Sequence, residues 1–401
     1  FSDDLLWLVY VIIEYIKYTG DNSILEEKVP YISGPILQNG EDEHYDFHPQ
    51  TDFEESLYSH AIKAIDKASN FGKNNLPKIG SGDWNDGFST VGNKGIGESV
   101  WLAFFMYSIL KEFIPICEEK GDTELVNKYK KIMQMLKKAL NENAWDGRWF
   151  KRAYTDDGKV IGSMQNEEAK IDSIAQSWSV ISSAGDEEKQ KISMEELENQ
   201  LIDKENAIIK LLDPPFEKGN INPGYIKAYL PGVRENGGQY THAAIWAIWA
   251  MTILGEGDKA VKYFKYLIPI EHARTRETAN KYKVEPYVVV ADMYTAPNII
   301  GRGGWTWYTG SSAWLNKIGI EEILGLNIEN GIMKLKPCID SSWKEYSIRY
   351  RYKTSVYNIK VRNPNNKQTG IETLKLNGEI IESKQIKLID NGKINEVEAI
   401  M

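Results

Sequence analysis

The sequence runs to 401 residues with 42% apolar and 26% charged residues, the balance of an ordinary folded protein long enough for one large domain and a small one. A formal charge of −9 without a lysine or arginine run argues against a nucleic-acid or anionic-membrane partner, since clustered positive charge holds both. Cys117 and Cys338 stand far apart with no CxxC pair, so neither a disulfide framework nor a thiolate zinc site is indicated and a reducing, cytoplasmic setting is expected.

Helical periodicity starts almost at once, over Asp3 to Tyr18, without the polar lead that most chain starts carry, so a fragment of a longer protein is expected. The apolar run Leu5 to Ile13 inside it stops at Glu14 and is too short to cross a bilayer. Further helices are predicted over Phe53 to Ser69, Gly97 to Lys120, Thr123 to Asn141, Lys170 to Ser183, Ser193 to Asp203, Thr241 to Leu254 and Ser311 to Leu324. Val100 to Ile116 and Ala243 to Ile253 are apolar nearly all round, whereas Glu124 to Leu140 sets a lysine-rich face opposite Ile132, Met135 and Leu136. Buried inner helices paired with amphipathic outer ones make a helical toroid. Long loops rich in Gly, Trp and Tyr separate them at Leu76 to Gly97, Asp213 to Tyr240 and Asn280 to Gly310, and loops of that length are usually functional. From about Gly331 short alternating runs and an Asn377-Gly378 hairpin signal predict a small β-sandwich. The expected domains are residues 1–326, helical, and 327–401, β.

Three constellations could carry chemistry. Gly80-Ser-Gly-Asp-Trp-Asn-Asp-Gly87 presents two carboxylates around an indole. Glycosidic cleavage needs an acid for the leaving oxygen, and an aromatic face packs on the apolar face of a pyranose; Asp86 and Trp84 offer those parts. The same Asn85-Asp86-Gly87 also reads as a plain turn. No calcium loop fits, because position 87 is Gly where an oxygen ligand is needed, and no metal or other cofactor is expected.

Arg234-Glu-Asn-Gly-Gly-Gln-Tyr-Thr-His242 enters an apolar helix, so its polar groups collect at a helix N-terminus that favours an anion. His242 could hold phosphate there while Glu235 and Gln239 bind sugar hydroxyls; capping plus a hydrogen-bonded histidine is the plainer reading. Gly301-Arg-Gly-Gly-Trp-Thr-Trp-Tyr-Thr-Gly-Ser-Ser312 offers amides and hydroxyls at Thr309, Gly310 and Ser311 before another helix, with Trp305 and Trp307 expected to pack under the loop. Asp3 and Asp4 sit where carboxylates cap a helix. His44, His48, His60 and His272 lack metal-ligand spacing and are expected to be surface or structural residues.

Phe1-Ser-Asp-Asp-Leu-Leu-Trp7, Gly82-Asp-Trp-Asn-Asp-Gly87, Glu235-Asn-Gly-Gly-Gln-Tyr-Thr-His242 and Gly303-Gly-Trp-Thr-Trp-Tyr-Thr-Gly310, in that order, resemble glycoside hydrolase family 94, the inverting disaccharide and oligosaccharide phosphorylases. The resemblance implies an (α/α)6 barrel, here without its first helices, followed by a jelly-roll-like β-sandwich. It implies inorganic phosphate as co-substrate, Asp86 as general acid, Asp4, Trp84 and Glu235 as sugar contacts, and His242, Thr309 and Gly310 as phosphate contacts. Family members also use arginines upstream of the Phe-Ser-Asp-Asp motif, which implies a homodimer or a separate chain that supplies the missing part. Tyr229 to Ala244, Val284-Glu-Pro-Tyr287 and Val29 to Pro35 look more like 1,2-β-oligoglucan phosphorylases and the C-terminal part of cyclic β-1,2-glucan synthases, although Leu315-Asn316-Lys317 departs from that subgroup.

Overall fold

The computed structural model describes residues 1–38, 41 and 44–401. Ten α-helices are present among them: α1 Asp4–Thr19, α2 Leu57–Ala68, α3 Val100–Glu119, α4 Thr123–Glu142, α5 Ser173–Ile181, α6 Glu187–Leu201, α7 Thr241–Ile253, α8 Gly257–Lys265, α9 Arg276–Tyr282 and α10 Thr309–Lys317. α1 packs on α3, α3 on α5, α5 on α7 and α7 on α10, while α2, α4, α6 and α8 each back the inner helix before them. The apolar helices α3 and α7 are inner; α4, with Leu136 buried and its lysines facing out, is outer. α3 is long and apolar enough to cross a membrane by composition, but most of it is buried in the core of this fold.

Sequence patterning placed several helix starts too early, and one reason covers three of them. Gln50–Ser56 is a strand paired with Lys28–Ile32, Glu98–Ser99 pairs with Ala153–Tyr154, and Ile171–Asp172 pairs with Leu212–Asp213. The last residue of each strand, Ser56, Ser99 or Asp172, then caps the helix by accepting an amide of its first turn. The helix expected from Ser193 begins at Glu187, where Asp186 occupies the N-cap position. The final helix starts at Thr309 and relaxes into a π-helical stretch, Ile318–Ile323. α8 and α9 lie outside the predicted helices, and α9 overlaps the first residues of the expected Asn280 loop.

Tryptophans from the inner helices meet at α7. Trp7 of α1, Trp101 of α3, Trp178 of α5 and Trp314 of α10 all lie against Trp246 of α7, with centroids 6.5, 6.1, 5.2 and 5.9 Å away. The axis is therefore filled with indole, which adds stacking and edge contacts to area burial.

From Leu326 the chain forms a three-stranded and a five-stranded sheet. The latter is built on the hairpin Glu345–Tyr352/Ser355–Arg362, whose second strand pairs in parallel with Ile394–Ile400. Asn377 and Gly378 join Thr373–Leu376 to Glu379–Ile380 with φ of 51° and 91°, the two positive φ values of a type I′ turn. The inward faces of both sheets share one apolar cluster with α7 and α8.

Candidate active site

α1, α3, α5 and α7 are each followed by an outer helix that returns the chain, so these inner helices run parallel and their N-termini share one end. The loop 80–87 ties those termini together. The Ser2 amide donates to Gly82 O at 3.0 Å and binds the start of α1 to the loop. Ser99 at the start of α3 donates to Asp83 Oδ2 at 2.6 Å. Trp84 Nε1 donates to His242 Nδ1, in the first turn of α7, at 3.2 Å. The N-termini of α1, α3 and α7, with their positive dipole ends, thus meet at this loop.

Asp83 is the anchor of the loop. It is 2% exposed, its two oxygens accept from Arg152 Nη2 and Nη1 at 2.7 Å each, and Oδ1 also accepts the Asn85 amide at 3.0 Å. Asn85 Oδ1 accepts the Gly87 amide at 3.1 Å, so the turn is held by its two flanking side chains while Asp86 at its tip stays exposed. The turn reading therefore holds for these residues, and the turn leaves the Asp86 carboxylate exposed. Gly82, at φ 143°, has room for no side chain: a Cβ there would lie 3.2 Å from the Asp86 Cα.

Beneath the loop, Arg152 is fully buried and also approaches Asp172, with Nε 3.5 Å from Oδ2. Burial, then the repulsion of Asp83, pushes Asp3 up to about 6, against the Trp7 indole that donates to it at 2.9 Å. Burial also pushes Asp172 up to about 6, opposed by Arg152. Asp3 does not cap α1 as expected, because its carboxylate is turned inward to Trp7. Asp4 does face outward, beside the loop.

Above the loop the groups are open. Tyr225, half exposed, has its phenol pushed up by burial and by the neighbouring Asp86 carboxylate. Glu235 is 7% exposed with Oε2 unpartnered; burial pushes it up, and Arg234 Nε at 3.5 Å pulls the other way. Arg234 lies over the rings of Tyr229 and Trp305, 5.0 and 4.7 Å from their centroids, and its own amide donates to Asp292 Oδ2 at 3.2 Å. The Tyr240 and Tyr308 hydroxyls meet at 2.9 Å, and Tyr240 sits edge-on to Trp84. Ring and cation–π contacts join Tyr225, Tyr229, Arg234 and Trp305, and a second set joins Tyr308, Tyr240 and Trp84.

His242 is held neutral, lowered to about 3 by burial. Because its Nδ1 accepts from Trp84, the ring proton belongs on Nε2, a buried donor with no protein partner. It is not the satisfied histidine of the plainer reading, and neither Thr241 nor any other side chain caps α7. The Thr241 and Ser311 hydroxyls are likewise buried and unpartnered at helix starts. Thr309 and Gly310 are exposed in the first turn of α10, which no side chain caps.

Two sequence expectations change. Gln239 is 1% exposed and its Oε1 accepts the Ile209 amide at 2.9 Å, so it fixes a strand inside the fold and does not reach the cleft. Trp305 and Trp307 are each 64% exposed, because the 303–308 backbone lies flat on residues 289–292 and turns both rings outward. His60 and His272 bind the Val29 and Tyr266 carbonyls and are structural. Arg234, Arg152 and Tyr225 were missed as participants; Arg234 at least adjoins Glu235 in a motif already singled out. A cavity of about 200 Å³ lies at the opposite end of the inner helices, lined by Glu14, Lys17, Glu112 and Lys317, and shares no residue with this cleft.

Paired helices that gather carboxylates, aromatic rings and helix N-termini in one open cleft define a carbohydrate-processing class. The chain belongs to the Glycosyl hydrolase 94 superfamily, whose catalytic domain matches residues 1–325. It is 42% identical to cyclic beta-(1,2)-glucan synthase NdvB of Rhizobium meliloti (strain 1021) over 90% of this chain and 13% of that protein. It is 28% identical to solabiose phosphorylase of Paenibacillus borealis over 100% of this chain and 50% of that protein. With 1,2-beta-oligoglucan phosphorylase of Listeria innocua serovar 6a it shares 26% identity over 81% and 31% of the two chains. The chain thus spans half or less of the length of these relatives. A GH78 family rhamnosidase of Bacillus sp. GL1 shares the fold, with a TM-score of 0.51 over 90% of this chain and 33% of the other at 10% identity.

Proposed function

We propose that this chain carries the catalytic centre for inverting phosphorolysis of a β-glucoside, with a β-1,2-linked oligoglucan as the substrate and α-glucose 1-phosphate as the product. A phosphate oxygen attacks the anomeric carbon from the face opposite the leaving sugar. The bond from that carbon to the glycosidic oxygen breaks, and Asp86 gives its proton to that oxygen. Asp4, Trp84 and Glu235 hold the sugars on either side of the cleaved bond. The His242 Nε2–H and the Thr309 and Gly310 amides take the phosphate, aided by the dipole ends of α7 and α10.

The observation that carries this reading is the exposed Asp86 carboxylate on a turn whose Trp84 donates to a neutral His242, leaving the His242 Nε2–H without a partner. Phosphate is already a nucleophile, so it requires donors to position it and no second carboxylate to activate it. The linkage rests on the 42% identity with a cyclic beta-(1,2)-glucan synthase.

The five inner helices are read as five of the six in an (α/α)6 barrel. α1 exposes a stripe of Leu5, Leu8, Val11, Tyr15 and Tyr18 at helical spacing, which suits a further helix from the remainder of a longer polypeptide. That segment would also bring further cationic groups to the phosphate.

The test uses the complete protein. Asp86→Asn should lower phosphorolysis by roughly 10² to 10⁴-fold with the melting temperature unchanged. Near-normal turnover would sink the assignment. Glucose release by the wild type at the same rate with and without phosphate would make the protein an inverting hydrolase.

A further inference from the structure

The rim of the cleft continues outward past Trp305. Trp305 and Trp307 are each 64% exposed and Tyr287 is 75% exposed, an aromatic surface that a folded protein seldom leaves open without something to cover it. Trp305 is backed by the Arg234 guanidinium, which holds its ring in place. Tyr287 stands at 73° to Trp307 with centroids 6.3 Å apart. Trp307 itself has φ 61°, a conformation that a bulky residue keeps only where its surroundings impose it. Here the Ala291 amide donates to Trp305 O at 2.6 Å and the Tyr308 amide to Val289 O at 3.2 Å, so both sides of Trp307 are pinned. The outcome is a rigid indole aimed at solvent, joined through Trp305 and Arg234 to Glu235 and through Tyr308 and Tyr240 to Trp84.

We propose that Trp307 and Tyr287 form an additional glucosyl-binding subsite, taking units of a β-glucan chain beyond the pair that is cleaved, and so select oligosaccharides over disaccharides. The occupant follows from continuity with the cleft and from chemistry: the C–H face of a pyranose packs on an indole face, and a β-linked chain leaving the Asp86 region meets Trp305 and then Trp307. This inference rests on the sugar-binding reading of the cleft, but its test does not depend on catalysis.

The complete protein is titrated calorimetrically, without phosphate, with a β-1,2-linked glucose disaccharide and the corresponding pentasaccharide. The wild type should bind the pentasaccharide more tightly. Trp307→Ala should weaken pentasaccharide binding about tenfold and leave disaccharide binding unchanged, with Tyr287→Ala acting in the same direction but less strongly. Equal affinities of the wild type for the two sugars, no binding of either, or an equal loss for both in Trp307→Ala overturns the subsite. Sedimentation of both variants supplies a further check: a Trp307→Ala variant of altered mass assigns the rim to a second copy of the chain and overturns the proposal. Chain-length-dependent binding without phosphorolysis rejects the catalytic reading and upholds the subsite, whereas phosphorolysis without chain-length discrimination does the reverse.

Discussion

Asp83 and Asp86 belong to one turn, yet they stand in opposite surroundings. Asp83 lies in a dry layer beneath the loop, forked onto Arg152, with Asp3 and Asp172 close enough to feel its charge. Asp86 is exposed, close to Tyr225. Two carboxylates of the same chemistry are thereby divided: the buried one spends its oxygens on structure and the open one keeps them for a ligand. A loop of this kind needs both, because the buried pairing fixes the backbone that aims the exposed group.

The largest effect should come from breaking the lower layer. Arg152→Met strands the Asp83 and Asp172 carboxylates in the core and should cost about 3–5 kcal/mol, read as a fall in denaturant midpoint. Adding Asp83→Asn to that variant should restore part of the loss, since the stranded charge is removed. An unchanged midpoint for Arg152→Met would mean that the fork contributes nothing. Asp86→Asn gives the opposite pattern, with activity lost and the midpoint kept, and this contrast is the sharpest form of the comparison.

A smaller effect is expected between the layers. Trp84→Phe keeps the ring on Trp246 but removes the donor to His242 Nδ1, freeing the imidazole to place its proton on either nitrogen. One neutral hydrogen bond is worth about 1 kcal/mol, so kcat/KM for phosphate should fall about fivefold. A change confined to the sugar's KM would place Trp84 with the sugar alone.

In the pH dependence of stability the two regions have opposite signs. Asp3 and Asp172, raised from 3.8 to about 6, bind protons more tightly folded than unfolded; the stability they add is complete below 3.8 and is lost as pH rises through 6. His242, lowered from 6.5 to about 3, is neutral in the fold, so its contribution is lost as pH falls from 6.5 towards 3. Denaturant midpoints across pH 3 to 7 should therefore show a gentler acid decline in His242→Gln and a steeper one in Asp3→Asn. Parallel curves for all three proteins would show that these groups titrate alike folded and unfolded.

Much of the site was legible because its chemistry is local in sequence. Glycine around Trp84 and Asp86, the run Glu235 to His242 ahead of an apolar helix, and Thr309-Gly310 ahead of another each carry their signal within a few residues. Ser56, Ser99 and Asp172 were equally readable as caps, and heeding them would have moved three helix starts to where they lie. The strand before Ser56 was not readable, since Gln50–Ser56 takes its conformation from pairing with Lys28–Ile32 across the intervening chain. Gln239 looked like a sugar ligand because polarity in a glycine-rich motif does not tell which way a side chain points.

By itself the sequence determined the alternation of buried and amphipathic helices, the sheets that follow and the three loops, because periodicity, turn chemistry and capping act over a few residues. Only the tertiary structure decided that five tryptophans from five helices meet on one axis, that Arg152 takes Asp83 and leaves Asp86 free, and that Trp305 and Trp307 face water. Those outcomes depend on which distant groups share a dry interior, where an ion pair or an indole is held by neighbours far away in the chain.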